Sequence, residues 1–164
     1  MNPKRPPENE LASVTLLMSA HQGLDILTVD ECEELLSSEV VGRLGFLDAG
    51  QPIILPINYA FVAGSILFRT APGSKLAAAT QTERVAFEID GWDRDARSGW
   101  SVLTKGRASE ITNEWFVALC EFFGVEPWAD QFPRDHWVRI SVDEISGRWI
   151  FRDPKNEDVL SLRA

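Results

Sequence analysis

The sequence predicts a mostly β protein with small helices, folded as a small closed or nearly closed barrel. β-Prone runs recur from residue 40 to residue 152, and short turn signals such as Ala63-Gly64 separate them. Helical patterns are few and short. Closing a set of antiparallel strands into a barrel removes its exposed sheet edges.

The first predicted element is a helix that begins near Thr28. Thr28 and Glu31 have the S/T-x-x-E spacing of a capping box, in which each residue satisfies a backbone N–H of the other. The apolar periodicity stops at Ser37-Ser38. The helix is therefore expected to end there.

A three-strand meander is predicted after this helix, over residues 40–47, 53–62 and 66–70. Pro56 lies inside the second of these strands and has no N–H to donate to a ladder. It therefore marks a sheet edge, a bulge or a place where something other than a strand lies alongside.

The later elements alternate in the same way between strands and short helices. They are a helix over 74–81, strands over 84–92 and 100–111, a helix over 114–123 capped by Thr112 or Asn113, a loop over 124–135, and a final long strand or bent pair over 136–145 and 148–152.

The chain divides into a flexible leader over residues 1–24, one domain over 25–152 and a C-terminal tail over 153–164. Its 164 residues suffice for one domain with a sizeable core. The formal net charge of −9 argues against a nucleic-acid or membrane partner, because both require a basic face. Cys32 and Cys120 form neither a disulfide framework nor a metal-ligand spacing. These features predict a cytoplasmic protein with buried thiols.

Residues 68–75 combine a strand end, a Pro-Gly turn and a helix start with two cations and two hydroxyls. The side chains are those of Arg69, Thr70, Ser74 and Lys75. A helix start offers unpaired N–H groups, and Arg and Lys both bind phosphate oxygens. A phosphate group suits this corner, although a solvated turn whose cations face water is the competing interpretation.

Known catalytic motifs do not fit the sequence. Gly73-Ser74-Lys75 lacks the adjacent Gly-Lys pair of a P-loop. The two histidines, His21 and His136, have no matching nucleophile, and no His, Cys and carboxylate set has metal-ligand spacing. Any chemistry is therefore expected to come from a bound cofactor.

The order of several short stretches resembles the pyridoxamine 5′-phosphate oxidase-like family, whose fold is the FMN-binding split β-barrel. The likeness is nearest to its small actinobacterial-type and nitroimidazole-resistance-like members and spans about residues 25–152. The stretches that carry it are Val41-Gly42-Arg43-Leu44-Gly45, Pro56-Ile57-Asn58-Tyr59, Phe68-Arg69-Thr70, Gly73-Ser74-Lys75, Val85-Ala86-Phe87-Glu88-Ile89-Asp90 and Gly99-Trp100-Ser101-Val102-Leu103 through Gly106-Arg107-Ala108.

The resemblance implies a homodimer that holds FMN between its subunits. It assigns the phosphate to Arg69, Thr70, Ser74 and Lys75, and it places the segment Pro56-Ile57-Asn58-Tyr59 along the flavin ring. Trp100 and Ser101 fall on the strand that approaches the pyrimidine side of the ring, and the Trp100 indole either stacks near the flavin or fills the dimer core.

The implied activity is an FMN-dependent oxidoreductase that uses a small molecule and NAD(P)H. The C-terminal His and Arg residues that hold the substrate phosphate in true pyridoxamine phosphate oxidases have no counterpart here. Residues 53–62 also lack the histidine common in nitroimidazole-resistance relatives. Two alternatives stay open: a reductase that uses the deazaflavin F420, and a non-catalytic flavin or haem carrier or sensor.

Overall fold

The computed structural model describes residues 24–71, 84–126, 128 and 135–151. Seven strands, two α-helices and one 3-10 helix occur in this part of the chain. In order they are β1 (Leu24–Leu27), α1 (Val29–Ser38), β2 (Val41–Asp48), β3 (Gln51–Val62), β4 (Ser65–Thr70), β5 (Val85–Asp93), β6 (Ser98–Ile111), α2 (Glu114–Cys120), the 3-10 helix (Glu121–Phe123) and β7 (His136–Ile150).

Six of the strands close into an antiparallel barrel, as the sequence predicts. The strands neighbour one another in the order β7-β4-β3-β2-β5-β6, and β6 pairs again with β7. Strand β1 pairs with the same edge of β7 as β4 does, but at the opposite end of that strand, with Leu24 opposite Ile150. The barrel is closed because β7 pairs with β4 along one edge and with β6 along the other.

Two hairpins of the barrel use two-residue turns with positive φ at both positions. These turns are Ala49-Gly50 and Ala63-Gly64. Such turns have the backbone twist that antiparallel neighbours require. The two turns therefore fix the register between β2 and β3 and the register between β3 and β4.

The capping box at the start of α1 is confirmed. The Thr28 backbone N–H donates to Glu31 Oε2 at 2.7 Å, and the Glu31 N–H donates to Thr28 Oγ1 at 3.3 Å. The helix ends at Ser38, as predicted.

Two boundaries differ from the sequence-based prediction. Leu24, assigned to the leader, is the first residue of β1, a strand that the sequence did not indicate. The helix capped by Asn113 becomes a 3-10 helix after Cys120. The final element is one continuous strand, which is one of the two predicted forms. The helix predicted over 74–81, most of the leader and the tail lie outside the described residues.

The core has two parts, on the two faces of β4. Ile66 and Phe68 face the barrel interior, whereas Leu67 faces a smaller cluster with Cys120 and Trp137. Helix α2 covers that second cluster. Both cysteines are buried, and burial raises the pKa of Cys32 to about 11.

No helix within the described ranges is long and apolar enough to cross a membrane.

Candidate functional site

Strands β3 and β4 separate at the positions where the resemblance places the flavin. Their ladder ends at the pair Tyr59 and Phe68, so that Asn58 and Arg69 are the first positions beyond it. From Gln51 to Asn58, β3 pairs with β2 on one side only, as far as the structure describes the chain. Its other backbone edge has no strand partner among the described residues over this stretch.

Pro56 lies within this open stretch of β3, opposite Arg43 of β2. Of the three interpretations of Pro56, the described residues agree with a sheet edge or a place where something other than a strand lies alongside. Proline is tolerated at such an edge because it removes no donor that a neighbouring strand needs. The segment is thus suited to contact something other than a strand.

Side chains on both faces fix the next residues of β3. Tyr59 is buried, and its hydroxyl donates to the Leu36 carbonyl at 2.8 Å. Burial raises the pKa of Tyr59, which keeps this hydroxyl protonated. Ile57 is buried on the same face, whereas Pro56 is exposed.

The Asn58 side chain anchors a loop to the outer face of the barrel. Its Oδ1 accepts from the Trp128 N–H at 3.0 Å, and its Nδ2 donates to the Val40 carbonyl at 3.5 Å. Asn58, Phe123 and Trp128 contribute to the wall of a cavity of about 460 Å³. The polar side chain of Asn58 is therefore already engaged, and the segment's backbone is the part left for a ligand.

Arg69 lies on the outer face of β4, between an aromatic ring and a carboxylate. Its Cζ is 5.3 Å from the centroid of the Trp137 ring, and its Nη1 is 3.6 Å from Glu121 Oε2. The Trp137 indole N–H donates to Glu121 Oε1 at 3.1 Å. These contacts hold the guanidinium on the same outer face as Asn58.

Thr70, in contrast, is buried at the end of β4, on the same strand face as Phe68. The structure therefore places the side chains of Arg69 and Thr70 on opposite faces of the strand. Ser74 and Lys75, the other predicted phosphate ligands, lie outside the described residues.

Trp100 and Ser101 are separate from this group. They line a different cavity, of about 730 Å³, at the β5–β6 hairpin. Trp100 belongs to the barrel core and is 4% exposed, whereas Ser101 is partly exposed. The indole lies directly against Gly91, where a Cβ would come within 2.7–2.8 Å of it.

Sequence reasoning missed Glu121, Trp137 and Trp128 as neighbours of the predicted site. The register that pairs Arg69 with Trp137 identifies Trp137, and direct contacts to Arg69 and Asn58 identify Glu121 and Trp128. No group of three or more His, Cys, Asp or Glu residues within the described ranges could hold a metal ion.

The comparisons with known proteins identify the family of the chain. The family model for pyridoxamine 5′-phosphate oxidase matches residues 28–149. The uncharacterized protein Rv0080 of Mycobacterium tuberculosis is 32% identical over 131 residues, which cover 77% of this chain and 85% of that protein.

Two solved structures share the fold over nearly their whole length. The FAD binding protein from Mycobacterium smegmatis is 35% identical with a TM-score of 0.66, covering 77% of this chain and 98% of its own. An FAD-binding protein from Mesorhizobium loti is 25% identical with a TM-score of 0.67, covering 79% and 98%. The chain belongs to the pyridoxamine 5′-phosphate oxidase family and has its split-barrel fold.

Proposed function

We propose that this chain is a flavin-dependent oxidoreductase that binds FMN between the two subunits of a homodimer. The observation that carries the proposal is the separation of β3 from β4 beside Arg69. A bound flavin would supply the transfer of a hydride or of single electrons between a nicotinamide donor and a small oxidised acceptor.

The open edge of β3 fits the polar rim of a flavin ring. Buried backbone N–H and C=O groups need partners, and a flat heterocycle with both donors and acceptors can provide them. N–H groups near the ring would also stabilise negative charge on its reduced form. The Pro56-Ile57-Asn58 backbone would therefore position the ring.

Arg69 would bind the phosphate at the other end of the cofactor. A guanidinium can donate two hydrogen bonds to phosphate oxygens, and the Trp137 ring already orients this one. In the proposed site Ser74 and Lys75 complete the phosphate contacts, whereas the hydroxyl of Thr70, the fourth residue that the resemblance assigns to the phosphate, faces away from Arg69 and does not take part. Trp100 and Ser101 approach the flavin from the other side.

Exposed aromatic side chains support a homodimer. Trp115, Phe122 and Trp128 are 73%, 86% and 76% exposed in the single chain. Exposed aromatic residues of this kind are typical of protein interfaces. A second copy that covers them would also complete the flavin pocket. The formal net charge of −9 and the two free cysteines favour a cytoplasmic location.

The cofactor can be tested by titration with three candidates. FMN, FAD and F420 are added separately to the purified protein, and the absorbance of the flavin or deazaflavin bands is followed. We expect FMN to bind, and FAD is included because two relatives bind it and it contains the same phosphorylated half. F420 should bind less well, since its polyglutamate tail favours a basic groove and this chain has a net charge of −9. A folded protein that binds none of the three would refute the proposal.

Hydrogen bonds within the protein at the open edge of β3 favour a second function. In that case the chain is a flavin carrier or sensor without turnover. The Asn58 amide and the Tyr59 hydroxyl are both engaged in hydrogen bonds within the protein. Neither is left to move a proton to a substrate. Tight flavin binding without oxidation of NADH or NADPH across a panel of acceptors would select this function.

The Glu121 carboxylate should compete with the cofactor phosphate for Arg69. We expect Glu121→Gln to tighten FMN binding by up to about fivefold, because an exposed ion pair is worth roughly 0–1 kcal/mol. The amide oxygen can still accept from Trp137. Glu114→Gln, an exposed acid in the first turn of α2, is the matched control. Weaker FMN binding in Glu121→Gln would show that the carboxylate positions Arg69 and does not compete.

A further inference from the structure

The cavity of about 460 Å³ beside Asn58 lies next to the backbone edge assigned to the flavin, and not along it. It follows β3 from Asn58 to Val62, and over Tyr59–Val62 that strand is already paired with β4. Its other walls are the connection after α1 and the chain that follows the 3-10 helix. The cavity is therefore a separate space that adjoins the proposed flavin site.

Apolar and aromatic side chains form most of its walls. Val40 and Val62 supply aliphatic surface, and Phe123 and Trp128 add two aromatic rings. The Trp128 backbone N–H donates to Asn58 Oδ1 at 3.0 Å, which holds this residue next to β3 while its side chain stays 76% exposed. Rings beside a cavity of this size favour a ligand with a flat apolar body.

All of the charge on the described lining is negative. Glu39 follows α1 and Glu126 follows the 3-10 helix, whereas no Lys, Arg or His is among the described residues that line the cavity. Burial raises the pKa of Tyr59, and the charge of the nearby Glu39 carboxylate raises it further, which places that carboxylate beside the cavity wall. A ligand in this cavity therefore meets a negative potential.

The C-terminus of α1 adds to this negative potential. Ser37, in the last turn of the helix, lines the cavity, and that turn contains no basic residue to offset the negative end of the helix dipole. A cation at this position is attracted by the helix end and by both carboxylates. It also gains from contact with the faces of the aromatic rings.

We propose that this cavity binds a planar aromatic cation. The ring of the ligand packs against Phe123 and Trp128, and its positive charge lies close to Glu39 and Glu126. The same carboxylates repel the phosphate of a flavin, so that the ligand differs in charge from the cofactor. The further step, that the ligand exchanges electrons with a flavin held beside Asn58, rests on the proposed function; the binding does not.

Calorimetric titration with three probes of similar shape tests the site directly. The probes are 1-methylnicotinamide, which is a cation, the neutral 3-methylbenzamide and the anion 3-methylbenzoate. The protein is used in its native association state with whatever cofactor it retains, so that a second copy that covers Trp128 is present throughout. We expect the cation to bind at least fivefold more tightly than the amide, the anion to bind most weakly, and added salt to reduce the preference. Absence of cation binding, or equal affinity for the three probes, overturns the proposal.

The double variant Glu39→Gln, Glu126→Gln should lose the preference for the cation. The matched control, Asp95→Asn, Glu114→Gln, removes two exposed carboxylates that do not line the cavity and should keep the preference. Trp128→Leu removes one ring and should weaken binding of the cation several-fold. An unchanged preference in the first double variant contradicts the site. FMN titration of the same variants reports separately on the proposed function, since a protein that binds the cation but no flavin refutes only the latter.

Discussion

Replacing Arg69 with alanine is expected to weaken FMN binding by several-fold to about a hundredfold, because a charged hydrogen bond contributes roughly 1.5–3 kcal/mol. Arg69 is the one predicted phosphate ligand whose side chain the structure describes on the outer face where β3 and β4 separate. The double variant Arg69→Ala, Lys75→Ala should lose more. Lys75 lies outside the described residues and enters through the residue pattern of the 68–75 corner and through the resemblance. Titration followed by flavin absorbance measures both effects.

Two controls separate loss of the phosphate contact from general damage. Riboflavin has the same ring but no phosphate, so its affinity should not change in Arg69→Ala. Arg107→Ala removes an exposed arginine that is also paired with a carboxylate, with Nε 3.7 Å from Asp143 Oδ2, on a different part of the barrel. It should bind FMN as the parent does. Unchanged FMN affinity in the double variant would show that the corner is a solvated turn.

Elements with local signals were predictable from the sequence. The capping box at Thr28 and the turn at Ala63-Gly64 depend on residues within a few positions of each other, and both occur as expected. Strand β1 has no such signal, because its four residues form a strand only by pairing with the end of β7. A contact between the two ends of a domain cannot be read from periodicity.

The helix after Asn113 shows a different limit. The spacing of Trp115, Leu119, Phe122 and Phe123 suggests one apolar face for core or subunit contact, but the α-helix stops at Cys120, so that Phe122 and Phe123 lie on the 3-10 helix. Trp115 and Phe122 are exposed in the single chain, which leaves subunit contact as the interpretation open to them. The change of helical pitch after Cys120, which the sequence does not indicate, moves Phe122 and Phe123 from the positions that a continuous α-helix would give them.

The site was predictable to the extent that its residues adjoin a strand end. Pro56 indicated that one edge of β3 is not paired, and the described part of β3 pairs only with β2 at this position. The partners of Arg69, namely Glu121 and Trp137, follow from the register between β4 and β7 and from the path of the chain after α2. Both contacts of Arg69 depend on tertiary packing, which the spacing of residues 68–75 does not indicate.

Gly106→Ala is expected to destabilise the protein strongly. Gly106 lies in β6 at the register shift that follows Lys105. A Cβ there would overlap the backbone carbonyl oxygen of Ser141 and come within 2.9 Å of its carbonyl carbon. Because the obstacle is backbone, no change of rotamer relieves it. Overpacking of this kind costs about 1–3 kcal/mol or more, and each kcal/mol lowers Tm by about 2–4 °C in a chain of this size.

Gly45→Ala is the matched control for that expectation. Gly45 is also a strand glycine of the barrel, but a Cβ added there would have its nearest neighbours at 3.7 Å, an ordinary contact distance. Alanine there should be tolerated or slightly stabilising, since glycine in a strand costs roughly 0.5–1 kcal/mol relative to alanine. Thermal unfolding of the two variants under the same conditions compares them. Equal Tm values would mean that β6 and β7 can move apart at the bulge, so that the closure of the barrel does not depend on close backbone approach at Gly106.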